Sequence, residues 1–399
     1  MDFPTVRVEE GEASMSIPEL EQGVNLQQAM SRAPVFYNPL MKLNRDSAVL
    51  VLAAHQGELG REITACEPFC GSGVRGIRLA LEVGGVEKVV MGDLNPQAVE
   101  LAKLNAKING VTNKIGVRHS EANLLLSLHA RPLHRFDYVD IDPYGSPVAF
   151  MDTAIRACKK KGIIALTATD MAPLCGVNPR ACIRRYGGRP IRTEYCHEQA
   201  IRFLVSALAT TAARHETSVK PVFSYSSDHY IRLYSVIDRG AKKADSSLQK
   251  IGYVLHCHKC SQRNTLSMKE LYEERICSVC GSEMQVAGPM WIGDLADTSF
   301  CEKMLKKSQV LGVGANRRLM DIISLVRDEV GFPPGFYKID IICSRKGLPS
   351  VPTDLVLRSL RDEGHRAILT HIDSRGIKTD ASLFELENAI VKAHGDRRI

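Results

Sequence analysis

The chain has 399 residues, 44% of them hydrophobic and 24% charged, with a net charge of +7 and twelve cysteines. That length exceeds one ordinary domain, so two or three are expected, and the composition is globular rather than disordered or fibrous. No run approaches the roughly 18 apolar residues of a membrane span. The N-terminus, Met1 to Glu10, carries no signal-peptide pattern, which points to the cytoplasm. In that reducing setting twelve cysteines fit metal binding or burial better than disulfides.

The first 60 residues hold an aromatic turn, Val35-Phe36-Tyr37-Asn38-Pro39, then Asn44-Arg45-Asp46, and the core face of a helix from Leu50 to His55. From residue 61 the pattern alternates strand and helix. A strand, Ile63-Thr64-Ala65-Cys66, runs into Glu67-Pro68-Phe69-Cys70-Gly71-Ser72-Gly73-Val74-Arg75-Gly76 and a helix through Leu81. A second strand, Val86 to Met91, ends in Gly92-Asp93-Leu94-Asn95-Pro96; Pro96 opens an amphipathic helix that stops at Asn109-Gly110. A third, Ile115 to Arg118, ends near Glu121-Ala122-Asn123. The fourth closes on Asp140-Ile141-Asp142-Pro143-Tyr144-Gly145-Ser146-Pro147 and a helical pattern from Val148 to Lys160; the fifth covers Gly162 to Ala168. After a helix from about Glu194 to Ala213, strands Pro221–Ser226 and Tyr230–Val236 meet at Ser227-Asp228-His229, close enough for a hairpin. Such alternation predicts a doubly wound parallel sheet. With its final antiparallel hairpin, the order resembles the α/β methyltransferases that use S-adenosylmethionine (SAM), the class I, Rossmann-like fold.

Gly71-Ser72-Gly73-Val74-Arg75-Gly76 also matches the dinucleotide fingerprint, with Asp93 about 20 residues beyond. Charge decides between the ligands. A pyrophosphate at this turn would be repelled by Glu67, whereas SAM carries a cationic ammonium and sulfonium. Asp93 can accept both ribose hydroxyls, and Glu121 can accept from the adenine amine. SAM is the expected ligand. Asp142, at the carboxyl edge of the sheet where open α/β folds bind ligands, offers a carboxylate beside the Tyr144 ring. Pro143 removes a donor and Gly145 permits a sharp turn. That combination suits a flat group bearing N–H, such as a nucleobase amine.

Between Asp170 and Glu194 there is no acidic residue but there are five arginines, Arg180, Arg184, Arg185, Arg189 and Arg192, interleaved with Pro and Gly. This reads as a cationic loop suited to a phosphate backbone. Cys257-His258-Lys259-Cys260 and Cys277-Ser278-Val279-Cys280 form C-x2-C-x16-C-x2-C, a zinc-ribbon spacing. Four thiolates leave no open position, so the expected Zn2+ is structural. From Val310 the tail reads as helices followed by Ala367 to Ile372, a Ser374-Arg375-Gly376 turn and Ile377-Lys378-Thr379, a winged-helix-like pattern whose cations include Arg317, Arg318, Arg345, Lys346, Arg375 and Lys378.

Phe36-Tyr37-Asn38-Pro39, Asn44-Arg45-Asp46, the stretch Glu67 to Gly76 and Asp142-Pro143-Tyr144-Gly145 resemble the tRNA (guanine(26)-N(2))-dimethyltransferase family, archaeal type. So do Asp228-His229-Tyr230-Ile231-Arg232, Gly288-Pro289-Met290-Trp291-Ile292-Gly293 and Gly376-Ile377-Lys378-Thr379-Asp380-Ala381. The resemblance runs from Glu10 to about Ile390. It implies SAM contacts at Arg45, Arg75, Asp93, Glu121 and the backbone of Ala122, beside Glu67, Gly71 and Gly73. It implies Asp142 as the catalytic carboxylate, with Phe36 and Tyr144 as plates around the target base. Tyr144 stands where the family often has Phe, which keeps the ring face. The implied organisation is an N-terminal segment (1–60) contributing to the active site, a SAM-binding domain (61–240) and a C-terminal tRNA-binding domain (241–399). Within the last, the zinc ribbon covers about 252–290 and the winged-helix-like part about 310–390. The expected protein is a cytoplasmic monomer whose partner is tRNA. Two other readings stand beside this one: an exocyclic-amino methyltransferase acting on another RNA or DNA base, and a non-catalytic zinc-ribbon and winged-helix RNA-binding protein.

Overall fold

In the computed structural model, which describes residues 3–21, 23, 25–270 and 275–396, the alternating stretch folds into one seven-stranded sheet. Met1 and Asp2 of the N-terminal stretch and residues 271–274 of the expected zinc ribbon lie outside the described residues. The strands are Ile63–Glu67, Val86–Asp93, Ile115–His119, Phe136–Ile141, Cys158–Ala168, Thr217–Ser227 and Tyr230–Arg239. Their spatial order is third, second, first, fourth, fifth, seventh, sixth; the first five are parallel and the seventh runs against both its neighbours. Order and terminal hairpin are those of the class I methyltransferase sheet.

Side chains alternate across this sheet as the pleat requires. Ala65 and Tyr138 enter the layer built with helices Lys42–Leu59 and Val74–Glu82, while Cys66 and Val139 enter the layer of Ala122–Leu128, Met151–Ala157 and Cys196–Ala213. The helix Lys42–Leu59 is buried continuously from Leu43 to His55, far beyond one face. Its outer side is covered by helices Thr298–Ser308 and Arg317–Asp328, so it is buried all round, as such an apolar helix must be. Arg317–Asp328, from the segment expected to open the winged-helix-like tail, therefore packs on the large sheet's layer through Leu319, Ile322, Ile323 and Val326.

Two local expectations are corrected, and one element was not anticipated. The helix expected over 148–160 is a 3-10 turn, Val148–Phe150, followed by Met151–Ala157; the fifth strand begins at Cys158, not at Gly162. Phe136 pairs with Cys158 and Tyr138 with Ile163, so the fifth strand bulges there, with Lys161 at φ 63° and Lys159 reaching Asp137 at 2.8 Å. The arginine stretch is not wholly a loop: Pro179–Tyr186 is a helix, with Pro179 in its first turn and Gly187 left-handed just past its end. Pro and Gly, read as loop signals, punctuate the two helix ends here. Finally, Thr5–Glu10 and Ala13–Pro18 form an N-terminal hairpin not anticipated from the sequence. It is tied to helix Pro96–Ile108 by Asn105, which bonds the N–H and carbonyl of Ser16 at 2.7 and 2.9 Å.

In the C-terminal part, Ile251–His256 is the central strand of an antiparallel sheet with Arg263–Ser267 and Gln285–Trp291. A second small sheet, Tyr337–Lys338, Gly376–Thr379 and Ala367–Leu369, carries helices Ile339–Arg345, Thr353–Asp362 and Leu383–Asp396, the winged-helix-like arrangement. Most of the tail cations lie at the surface, several of them in ion pairs, and Lys378 is buried. Arg375 is held by Asp340 and Ser350, Arg345 by Ser261, Lys346 by Glu387 and Arg318 by Asp228. Lys378 is 3% exposed and pairs with Glu198 of the helix Cys196–Ala213 at 2.7 Å.

Candidate active site

Asp142 lies one residue past the fourth strand, in a turn tied down by Thr169, whose Oγ1 accepts from the Gly145 N–H at 2.8 Å. Gly145 has φ 80°, the left-handed conformation that the turn needs. Beneath Asp142 runs a chain of alternating charges. Arg75 Nη2 donates to Asp142, its Nε donates to Glu67 at 3.2 Å and its Nη1 to Asn44 at 2.8 Å. The same guanidinium lies 3.5 Å from Asp140, which accepts from Arg232 at 2.6 and 2.9 Å and from the Tyr138 hydroxyl at 2.6 Å. Glu67, Arg75, Asp140 and Arg232 are all buried.

This network holds three carboxylates against two guanidiniums, so with every group ionised it is one positive charge short. Burial and the Asp140 charge push the Glu67 carboxyl up to about 8, against the opposing pull of Arg75. Burial alone would also raise Asp140, but Arg232 and Arg75 hold it below the usual carboxylate range. With Glu67 held up at about 8 the network balances at neutral pH. A ligand bringing net positive charge, as SAM does, offsets Glu67 when it ionises, whereas a pyrophosphate adds charge of the wrong sign.

The glycine turn supplies the space. Gly71 and Gly73 have φ 50° and 81°. A Cβ on Gly71 would lie 2.9 Å from the Phe36 carbonyl, and one on Gly73 would lie 3.0 Å from the Ala102 Cβ. Asp93, at the end of the second strand, accepts from the Gly71 N–H and the Asn95 N–H at 2.9 Å each, which orients its carboxylate at the turn. Glu121 caps the helix Ala122–Leu128, its two oxygens accepting from Asn123 and Leu124 N–H at 2.9 Å. Each oxygen retains a lone pair, so capping does not preclude an adenine amine. Ala122 is the first residue of that helix.

Arg45 is engaged differently from the implied SAM contact. Its Nε and Nη2 grip Glu10 of the N-terminal hairpin at 2.6 and 2.5 Å, and both Nη atoms reach the Asn38 carbonyl at 3.1 Å. Any contact with the methyl donor would share a guanidinium that already clamps the turn carrying Phe36. Phe36 and Tyr144 do meet, but edge to face, with centroids 5.0 Å apart and planes at 73°. A base stacked between them needs roughly 7 Å, two stacking distances, so the rings must part to admit one. At 38% and 76% exposure both rings are open to solvent and able to move.

Asp140 and Arg232 are the site residues that the sequence reading passed over. Asp140 was in view, two residues before Asp142 on the same strand, and Arg232 belonged to a motif used only for resemblance. Their pairing spans 92 positions and leaves no local pattern.

In the zinc ribbon the four cysteine sulfurs lie within 4.8 Å of one another, with Cys257–Cys280 and Cys260–Cys277 both at 3.4 Å. Zn–S bonds of about 2.3 Å place tetrahedral ligands some 3.8 Å apart, so the cluster fits a structural Zn2+. His258 instead faces Gln285 at 3.1 Å.

Residues 11–391 match the family described as N2,N2-dimethylguanosine tRNA methyltransferase. The tRNA (guanine(26)-N(2))-dimethyltransferase of Methanothermobacter thermautotrophicus is 39% identical over 386 residues, covering 96% of this chain and 98% of that one. The tRNA (guanine(26)-N(2)/guanine(27)-N(2))-dimethyltransferase of Aquifex aeolicus is 35% identical, covering 95% and 94%. Among solved structures, Trm1 from Pyrococcus horikoshii in complex with SAM superposes with a TM-score of 0.83 at 32% identity, covering 96% of this chain and 99% of that one.

Proposed function

Since this chain belongs to the N2,N2-dimethylguanosine tRNA methyltransferase family, we propose that Asp142 is the catalytic carboxylate, held in place by Arg75 and flanked by Phe36 and Tyr144. The reaction is transfer of methyl groups from SAM to the exocyclic N2 of a guanine in tRNA, guanine 26, giving N2,N2-dimethylguanosine. This sets aside both the other-base and the non-catalytic readings.

Guanine N2 is a poor nucleophile because its lone pair is delocalised into the ring. Asp142, accepting from N2–H, favours the pyramidal nitrogen and is placed to take the proton shed as the new N–C bond forms. When bound, SAM supplies an electrophilic methyl on its sulfonium. Glu67, Gly71, Gly73 and Asp93, together with Arg75, Glu121, Ala122 and Arg45, would hold SAM. Phe36 and Tyr144 part to hold the base flipped out of the folded RNA, stacking contributing on the order of 1–3 kcal/mol per base. The observation that carries this reading is the Asp142 carboxylate, pinned by Arg75 at the sheet edge beside two exposed rings.

All five arginines between Asp170 and Glu194 are exposed. They offer a phosphate-binding face, and with residues 241–399 they make up the tRNA-binding part, while residues 1–60 complete the active site. The chain is read as a cytoplasmic monomer, which light scattering of the free protein tests. Nucleoside mass spectrometry of unmodified tRNA incubated with protein and SAM tests the chemistry. Asp142→Ala and Asp142→Asn should abolish both methylated guanosines while SAM and tRNA still bind; a rate above about a tenth of wild type, ~1.4 kcal/mol of barrier, removes Asp142 from the centre of the mechanism.

A further inference from the structure

We propose that Cys175, Cys196 and His197 form a second metal site, separate from the four-cysteine ribbon, that takes a soft divalent transition ion such as Zn2+ and leaves one coordination position open. One ligand atom from each residue, two sulfurs and an imidazole nitrogen, lies within 4.8 Å of the other two. Zn–S bonds of about 2.3 Å and Zn–N of about 2.0–2.1 Å bring tetrahedral ligands to roughly 3.4–3.8 Å, a distance that small rotamer adjustments reach. Two thiolates and an imidazole are the donor set that such ions prefer over Mg2+ or Ca2+.

The three ligands come from two elements held together without the ion. Cys175 ends the short turn Met171–Leu174, its N–H bonded to the Met171 carbonyl at 2.8 Å, and its sulfur lies 3.7 Å from the Cys196 carbonyl. Cys196 opens the 18-residue helix Cys196–Ala213, where the positive end of the helix dipole favours a thiolate. The wholly buried Gln199 ties both ends of the intervening segment to that helix. It donates to the carbonyls of Leu174 and Ile191 at 3.5 and 3.0 Å and accepts from the Ile191 N–H at 3.2 Å. Both cysteines are half-buried, so an ion can reach them from solvent.

A simple dithiol poised to oxidise would not need the imidazole. Its convergence on the two sulfurs favours coordination over a disulfide. Between the two cysteines lies the segment 176–195, with the helix Pro179–Tyr186 and exposed Arg180, Arg184 and Arg185. An ion at this site fastens the two ends of that segment to each other.

The test uses full-length protein purified with its ribbon zinc, loaded with Co2+ and freed of unbound ions by gel filtration. Total metal per chain is read by mass spectrometry and thiolate coordination by the near-ultraviolet charge-transfer band of cobalt. Two metal ions per chain are expected for wild type. Cys196→Ser and Cys175→Ser should each hold one, without the cobalt band, while His197→Asn should bind cobalt at least about tenfold more weakly with an altered d–d spectrum. Zinc retained in the ribbon of each variant shows that it has folded. Added metal should also slow hydrogen exchange across 176–195 in wild type alone. One metal per chain in wild type after loading, undiminished binding in Cys196→Ser, or isolation of the pair as a Cys175–Cys196 disulfide under reducing conditions overturns the proposal.

Discussion

Replacing Arg232 with Met tests whether the buried charge chain holds the site together. Arg232 and Asp140 are both fully buried, and their two bonds measure 2.6 and 2.9 Å. Removing the guanidinium strands Asp140 with only the Tyr138 hydroxyl and Arg75, which lies at 3.5 Å. Breaking a buried pair from one side costs about 3–5 kcal/mol, because the remaining charge keeps its desolvation penalty. Urea unfolding followed by circular dichroism should show a loss of that size at pH 7. Adding Asp140→Asn removes the stranded charge, so the double variant should be less damaged than the sum of the singles by at least ~1 kcal/mol. The pH dependence carries a definite sign. In wild type the folded-state pKa of Asp140 is depressed, so its contribution is present above the unfolded value near 3.9 and is lost only as pH falls below that. In Arg232→Met burial dominates and the folded pKa rises above 3.9, so protonation relieves the variant as pH falls from 7 towards 4. The stability gap between wild type and variant must therefore narrow on acidification. Methyl transfer should fall as well, since Arg75 is drawn from Asp142 towards Asp140. A cost below ~1 kcal/mol, or a gap that does not change with pH, would refute the reasoning.

Asp93→Ala should raise the SAM dissociation constant strongly, because the carboxylate read as the ribose acceptor also orients the Gly71 turn; titration calorimetry showing unchanged affinity would move the cofactor elsewhere. Arg184→Ala should weaken tRNA binding modestly and flatten the slope of log affinity against log salt by about one unit, a change that filter binding over a salt series detects. Phe36→Ala should do the opposite, slowing single-turnover methylation with little effect on the salt slope. Replacing Cys257 and Cys260 together by Ser should release one zinc per chain and speed hydrogen exchange in strands Ile251–His256 and Gln285–Trp291; native ribbon without zinc would sink that reading.

The doubly wound sheet was legible because its signals are local: each strand is a short apolar run, and Gly71, Asp93 and Asp142 each fall where a strand ends. The four cysteines were legible because ligand spacing along the chain mirrors geometry in space. What escaped depends on partners distant in sequence. Glu10 is buried against Arg45 and Arg78, partners 35 and 68 positions away, so nothing near it in the sequence marks it as part of the core. Its strand therefore shows a carboxylate where a core residue is expected. Lys378 gave no local sign of burial for the same reason, because its acid, Glu198, lies far away in the chain. The helix Pro179–Tyr186 was missed because Pro and Gly mark helix ends as well as loops, and only the intervening backbone distinguishes the two.

The Lys378–Glu198 pair has a consequence for target choice. It is sealed from water between the winged-helix-like part and the long helix behind the catalytic sheet, and Arg263 of the ribbon sheet lies over the rings of both Tyr195 and Tyr337 at 5.1 and 3.7 Å. A buried ion pair is costly to separate, because each charge left alone would keep its desolvation penalty. If residues 241–399 grip the tRNA backbone as proposed, this joint sets their distance from Asp142, like the fixed jaws of a calliper. Such an instrument selects a nucleotide by how far it stands from the gripped backbone, so inserting or deleting a base pair in the RNA between those points should displace the methylated guanine, whatever the letters on either side.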